Sequence, residues 1–502
     1  MNRLIALPLA CLAASPLSHG AEYLTLLARS AATDAEWRAV GDKLAAIHSG
    51  PCAAWDGTED NLLATLKQHQ PRYLAIIGKP TAFKSATVRA INRATRMVDD
   101  DPWTDCRWGL ITGATPAEAM GVVETREPLV IERALTTTGI NLGLVDSALT
   151  ISDGGKGGFT IKQPGEKPEN GNWSEAEQPA GTVKMFADYW NNSNPQLLVT
   201  SSHATQFNLE MPFGLGLIAS YGGKFHVLTM QQRDEFAKFL GGAMFTGDVK
   251  QLGAWIKSTN APTLATDGST PRVWLACGNC LIGDAHGTRN SMVATALGKA
   301  GFRQFLGYVV PSWYGRGGWG TSSLWQGSGG RLSLAEAFFL NTQGILDETI
   351  TRFPGAEKIN FDSDDIQAGM RSDRAFIQGL NALIPKLKIE EKDHKDLLGL
   401  IHDRDVLALW GDPLWEARFD AKRNPHPLKS SWHANGESLT LTLTAEADYE
   451  GGYPLWLPKR LKSPTLSGPE NLDALAADDF LLIRKVSLKK GETMDIRLTS
   501  AA

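Results

Sequence analysis

Three things are scarce in this 502-residue chain, and each scarcity excludes something. Positive charge is not in excess: 50 lysines and arginines face 55 aspartates and glutamates, for a formal net charge of −5. A nucleic-acid partner calls for a basic face, so none is expected. Cysteine is rare, with five residues in all, too few to staple a fold of this length. A hydrophobic core has to carry the structure. Beyond the first twenty residues, no stretch approaches the ~18 apolar residues of a membrane-spanning helix, so no membrane span is expected. No internal repeat or low-complexity tract stands out.

What is present begins with an export signal. Asn2-Arg3 gives a short positive start, Leu4 to Ala14 is a short apolar run, and Ser18-His19-Gly20 offers small residues for a signal peptidase. Residues 1–20 therefore read as a signal peptide, cleaved after Gly20 or Ala21. Cys11 raises a lipoprotein anchor, but Pro8 stands where a lipobox wants leucine. The mature chain is expected outside the cytoplasm, in the periplasm, at the cell surface or in the medium. Four cysteines then remain, and an oxidising compartment allows a Cys52–Cys106 bridge.

Residues 22–135 alternate strand-like and helix-like runs. Tyr23 to Ala28, Tyr73 to Ile77 and Trp108 to Thr112 are short apolar strands. Thr33-x-x-Glu36 and Thr115-Pro116-x-Glu118 read as helix-opening capping boxes. Residues 150–182 are rich in Gly, Lys, Pro, Glu and Asn and read as a loop between two halves. Alternation resumes with Leu197 to Thr200, Arg272 to Ala276, Phe305 to Val310 and Val406 to Trp410 as strands. Ser333-x-x-Glu336 opens a long helix. From about residue 421 the period becomes two, most strictly over Ser438 to Thr444 and at Met494, Ile496 and Leu498, which indicates a small antiparallel sandwich. The expected class is α/β, an open and mostly parallel sheet followed by a β-sandwich. The expected domains are an N-terminal α/β subdomain over 21–170, a catalytic α/β subdomain over 171–420 and the sandwich over 421–502.

Two strand ends could carry chemistry. Leu197 to His203 places a histidine where a buried strand emerges, and Val273 to Cys277 does the same for a cysteine. Ligands of open parallel sheets bind beyond the carboxyl ends of the strands. If these strands are neighbours, His203 and Cys277 share one crevice. A thiolate is a strong nucleophile, and an imidazole can take its proton or protonate a leaving amine. The amides of Cys277 and Ala204 would form the oxyanion hole. Each feature also has a plainer reading, as a buried thiol or a satisfied core histidine. Cys277-x-x-Cys280 has a redox reading too. With Asp284 and His286, the two cysteines make an incomplete zinc set, so no metal site is assigned.

These motifs resemble the gingipain family of cysteine peptidases, in the caspase-like clan. The resemblance rests on the strand ending in His203, on Ala276-Cys277-Gly278-Asn279, and on Asp100-Asp101-Pro102-Trp103 followed by Trp108 to Ala119. Gly411-Asp412-Pro413, before an alternating tail, matches as well. It implies a caspase-like fold with an immunoglobulin-like C-terminal domain. It also implies an endopeptidase acting on polypeptides through a Cys277 thioester, with His203 as acid/base. It places a substrate-pocket wall after Val310, for which Trp313 and Trp319 are the candidates. Asp146 and Asp153 are the candidates for the acid that orients His203. No cofactor is implied, and a structural calcium ion is left open. The chain departs from the family at Ala204, where glycine is usual, and residues 205–265 read as an insertion, a lid or autoinhibitory flap. Two rival readings stand beside the peptidase: an inactive pseudo-peptidase serving as a binding or scaffold protein, and a periplasmic thiol–disulfide protein using Cys277 and Cys280.

Overall fold

Apolar runs of four to seven residues set between turns form most strands of one large sheet. A computed structural model describes residues 22–151, 157–174, 176–212, 216–229, 231–232, 254, 256–259, 261–265, 268–285, 287, 290–312, 314–360 and 390–501. In chain order the first strands are β1 (Tyr23–Ala28), β2 (Cys52–Trp55), β3 (Tyr73–Ile77), β4 (Arg107–Ile111), β5 (Leu129–Ile131), β6 (Arg133–Thr136), β7 (Ser147–Ile151), β8 (Gly158–Lys162) and β9 (Glu169–Asn172). Next come β10 (Leu197–Thr200), β11 (Asn208–Glu210), β12 (Gly216–Tyr221), β13 (Lys224–Thr229), β14 (Arg272–Ala276), β15 (Phe302–Tyr308), β16 (Leu407–Gly411) and β17 (Ala417–Phe419). Twelve share the central sheet, in the order β2-β1-β3-β4-β16-β15-β14-β10-β6-β7-β8-β9. β16 runs antiparallel to β15 and meets β4 at Trp410–Leu110, closing the two halves into one sheet.

Every residue of β1, β3, β4, β10, β14, β15 and β16 is buried. That is the pattern of strands covered on both faces. Helices Ala35–His48, Pro116–Glu124 and Met292–Leu297 pack together, and Glu59–His69, Ser85–Ala94, Arg316–Gly327, Leu334–Arg352 and His394–Asp405 form a second group. No helix of the described residues is long and apolar enough to cross a membrane.

The local readings need several corrections. The first helix is capped by Asp34, which accepts from the amides of Glu36 and Trp37, rather than by Thr33. Ser333 and Glu336 do form the expected reciprocal box. Within residues 150–182, β8 and β9 form a hairpin that extends the sheet beyond β7. β8 carries only two apolar residues, Phe159 and Ile161, and β9 carries none, so the surrounding Gly, Lys, Pro, Glu and Asn mask the hairpin. The proposed insertion contains a small antiparallel sheet, β11-β12-β13, and its remainder lies largely outside the described residues. So do residues 1–20.

The tail is a β-sandwich with its own core. β18 (Leu428–Asn435), β19 (Ser438–Ala445), β21 (Thr465–Ser467) and β24 (Thr493–Thr499) form one sheet. β20 (Tyr449–Trp456), β22 (Asp473–Ala477) and β23 (Phe480–Leu488) form the other. Leu439, Leu441 and Leu443 point inward with Ile496 and Leu498, as the period of two requires. Arg72 fastens this sandwich to the α/β body: it bonds the Leu457 carbonyl and Asp479 at 2.6 Å each, and stacks over Trp456.

Candidate active site

β10 and β14 are neighbours, parallel and in register from Leu197–Val273 to Thr200–Ala276. Ser201-Ser202-His203 and Cys277-Gly278-Asn279 therefore leave the same edge of the sheet side by side. The crevice expected from two strand ends exists; the environments of its two key residues differ sharply.

Cys277 is fully buried. Alternation puts its side chain on the face opposite Trp274, under the helix Arg316–Gly327. Ser322 of that helix hydrogen-bonds the thiol. The Leu275 carbonyl lies 3.9 Å from Sγ. Burial pushes the thiol up to about 12, and the Ser322 bond only partly offsets this. The helix is clasped down at its start. Gly317 donates to Asp403 Oδ2 at 3.0 Å, Gly318 donates to the Tyr308 hydroxyl at 2.9 Å, and that hydroxyl donates to the same Asp403 oxygen at 3.1 Å. A buried carboxylate from another helix thus does the work of an N-cap.

His203 is exposed. Among the described residues its ring has no hydrogen-bonding or ionic partner, and no bond joins it to the Cys277 thiol. Its carbonyl accepts from the Glu210 amide at 2.8 Å. The chain then turns back in a hairpin, with Ala204 bridging Leu209.

The expected oxyanion donors divide. The Cys277 amide donates to the Thr200 carbonyl at 2.9 Å, extending the ladder, and is not free for a substrate. The hairpin does not consume the Ala204 amide, because its bonds run from Thr205 to Asn208 and from Glu210 to His203.

Asp146 does not orient His203. It precedes β7, which is parallel to β6 and through it to β10, so it lies at the opposite edge of the sheet. Its carboxylate pairs with Arg423. Asp153, Trp313 and His286 lie outside the described residues. Trp319 is at the crevice: it is 37% exposed, and its indole nitrogen lies 3.2 Å from where a Cβ on Gly278 would sit. Cys280 is half-buried; its sulfur accepts from the Ser312 amide at 3.3 Å, and the Ser312 hydroxyl donates to the Gly278 carbonyl at 2.8 Å. Cys52, Cys106, Cys277 and Cys280 are all free thiols, so the Cys52–Cys106 bridge is not formed.

Two features escaped the sequence reading. Asn279 is fully buried and cross-braces the two strand ends, accepting from Thr200 and donating to Ser202. Its type and place beside Cys277 were visible, but its partners were not. The second is a set of carboxylates in the loop before β4. One ligand oxygen each from Asp99, Asp101 and Asp105 lie within 4.8 Å of one another. Burial, with the neighbouring Asp99 and Asp101 charges, pushes Asp105 well up, and burial pushes Asp101 to about 7. Asp105 Oδ2 is buried without a hydrogen-bond partner. Such a set suits a hard divalent cation with oxygen ligands. The Asp-x-Asp-x-x-x-Asp spacing was the available signal.

No family model matches the chain, and no curated protein is similar to it. Among solved structures it is similar to a chain described as "Structure of Protease", with a TM-score of 0.41 and 8% identity over 95% of this chain and 94% of that one. So distant a likeness decides neither family nor activity, and the chemistry of the crevice has to carry the functional reading.

Proposed function

We propose that this chain is an exported cysteine endopeptidase of caspase-like fold, in a closed arrangement with its nucleophile covered. The observation that supports this most is the in-register pairing of β10 and β14, which brings His203 and Cys277 to one edge beside an exposed Trp319. In the open form the helix Arg316–Gly327 moves off Cys277 and the Cys277 amide leaves Thr200. His203 takes the thiol proton, and the thiolate attacks the scissile carbonyl. The tetrahedral oxyanion is held by the Cys277 and Ala204 amides. Collapse breaks the C–N bond, and the imidazolium gives its proton to the leaving amine. Water, deprotonated by His203, then hydrolyses the thioester and restores the thiol.

A second reading has its own support. The committed Cys277 amide and the sealed thiol also suit a pseudo-peptidase that binds polypeptide without cutting it. The thiol–disulfide reading is weaker, because burial holds the Cys277 thiol neutral and out of reach.

The test is hydrolysis of a mixed fluorogenic peptide library by the mature protein, intact and after limited proteolysis, with and without reductant. Reductant-dependent cleavage lost in Cys277→Ala and His203→Ala, and kept in Cys280→Ala, is expected. A folded protein that never cleaves would favour the binding reading. Cleavage that survives Cys277→Ala would identify a different nucleophile.

A further inference from the structure

We propose that Asn279 is the positioning residue that holds His203 in register with Cys277; the proposal rests on the peptidase reading above. The argument begins with a buried hydrogen-bond chain across the two strand ends. The Trp274 indole donates to Thr200 Oγ1 at 2.9 Å. Thr200 Oγ1 donates to Asn279 Oδ1 at 2.6 Å. Asn279 Nδ2 donates to both the carbonyl and the hydroxyl of Ser202, at 3.0 Å each. The Ser202 hydroxyl donates onward to the Glu210 carbonyl at 2.6 Å.

The polarity of this chain is fixed at both ends. An indole nitrogen can only donate, so the Thr200 hydroxyl has its own proton left to give and needs an acceptor. The Ser202 carbonyl can only accept, so the amide must turn Nδ2 towards it. Asparagine supplies one acceptor and two donors on a short side chain. Aspartate lacks the donors, and glutamine is a methylene too long for a fully buried place.

The consequence falls on His203. Its ring has no hydrogen-bonding partner among the described residues, so the hydrogen bonds that constrain it are those to its backbone and its neighbours. That backbone is fixed on one side by Glu210, which bonds the His203 carbonyl, and on the other by Ser202, which Asn279 grips at two points. Asn279 follows Cys277 by two residues, so any shift of one strand end is carried to the other. A near-attack geometry is sensitive to this: a displacement of about 1 Å can cost a hundredfold in rate.

The test compares mature wild type with Asn279→Asp, Asn279→Ala and Ser202→Ala. It reads the His203 imidazole resonance by NMR, assigned through His203→Ala, together with peptide hydrolysis. Asn279→Asp keeps the bond from Thr200 but faces the Ser202 carbonyl with a carboxylate. It should shift the His203 resonance and lower kcat about a hundredfold, with KM changed much less. Ser202→Ala keeps the carbonyl contact and should lose less; it also covers the case in which an Asn279 variant fails to fold. A His203 resonance unchanged in folded Asn279→Asp, or in folded Ser202→Ala where neither Asn279 variant folds, would overturn the proposal whatever the activity. A shifted resonance in a protein whose wild type never cleaves would keep the positioning and sink the peptidase reading.

Discussion

A Cβ on Gly318 would fall 2.2 Å from the carbonyl oxygen of Cys277. Only a residue without a side chain lets the helix Arg316–Gly327 lie this close to the end of β14. Gly318→Ala should therefore push the helix outward and cost about 1–3 kcal/mol, the usual range for overpacking. The same displacement should uncover the thiol. Labelling of Cys277 by a small aromatic disulfide, followed by mass spectrometry, should be faster in the variant than in wild type. An equal rate with full stability would mean the helix does not cover Cys277 in solution.

The buried thiol gives a second handle, through alkaline pH. Burial raises the Cys277 pKa to about 12, above the roughly 8.5 of an unfolded thiol. A group raised on folding contributes stability below its unfolded pKa and loses it as pH rises towards the folded one. Between about pH 8.5 and 12 the slope from one such thiol approaches 1.4 kcal/mol per pH unit. Cys52 and Cys106 are raised by burial as well, so the absolute slope is shared. Comparison with Cys277→Ala isolates one contribution. Urea midpoints at pH 7.5 and pH 10 should fall more in wild type than in the variant. Parallel falls would place the thiol in water.

The middle of the sheet was legible because its strands are apolar on both faces: Tyr73 to Ile77 and Leu197 to Thr200 announce themselves as runs, whereas β2 at one end and β6, β7, β8 and β9 at the other did not. The crevice was legible in the same way, since His203 and Cys277 each end such a run. The covering helix was not. Gly317, Gly318 and Gly320 argue against a helix over residues 316–327, because each glycine costs about 1 kcal/mol in a helix. Close packing reverses that preference: added Cβ atoms at 318 and 320 would strike Cys277 and Asn341. The Asp403 clasp was equally hidden, since its partners lie 86 and 95 residues away in the chain. Asp146 misled because sequence shows its nearness to a strand but not which edge of the sheet it takes.

Arg72 should be the hinge pin between the α/β body and the sandwich. Its guanidinium bonds Asp479 and the Leu457 carbonyl and covers Trp456, which also packs against the guanidinium of Arg107 and the rings of Tyr73 and Phe339. Breaking a buried pair costs about 3–5 kcal/mol, and Asp479 keeps Arg460, so Arg72→Ala should fall near 3. Calorimetry should then resolve two transitions, and one in wild type. A single transition at an unchanged midpoint would mean the remaining contacts, Arg484–Asp347 among them, suffice to couple the two parts.

The carboxylates before β4 make the last prediction, and it has a sign either way. Asp105 is raised by burial first and by its acidic neighbours second, and has an oxygen with no partner. If a cation neutralises Asp99, Asp101 and Asp105, the thermal midpoint should rise with millimolar calcium and fall with chelator. At about a hundred times the dissociation constant the gain is about 2.7 kcal/mol. Asp105→Asn should abolish that dependence, because it removes the one buried anionic ligand. If no cation binds, calcium and chelator should leave the midpoint where it is. Asp105→Asn should then raise it, because a neutral amide enters the buried place with neither a charge to desolvate nor a proton to take up. Differential scanning fluorimetry of the two proteins across a calcium series separates these outcomes.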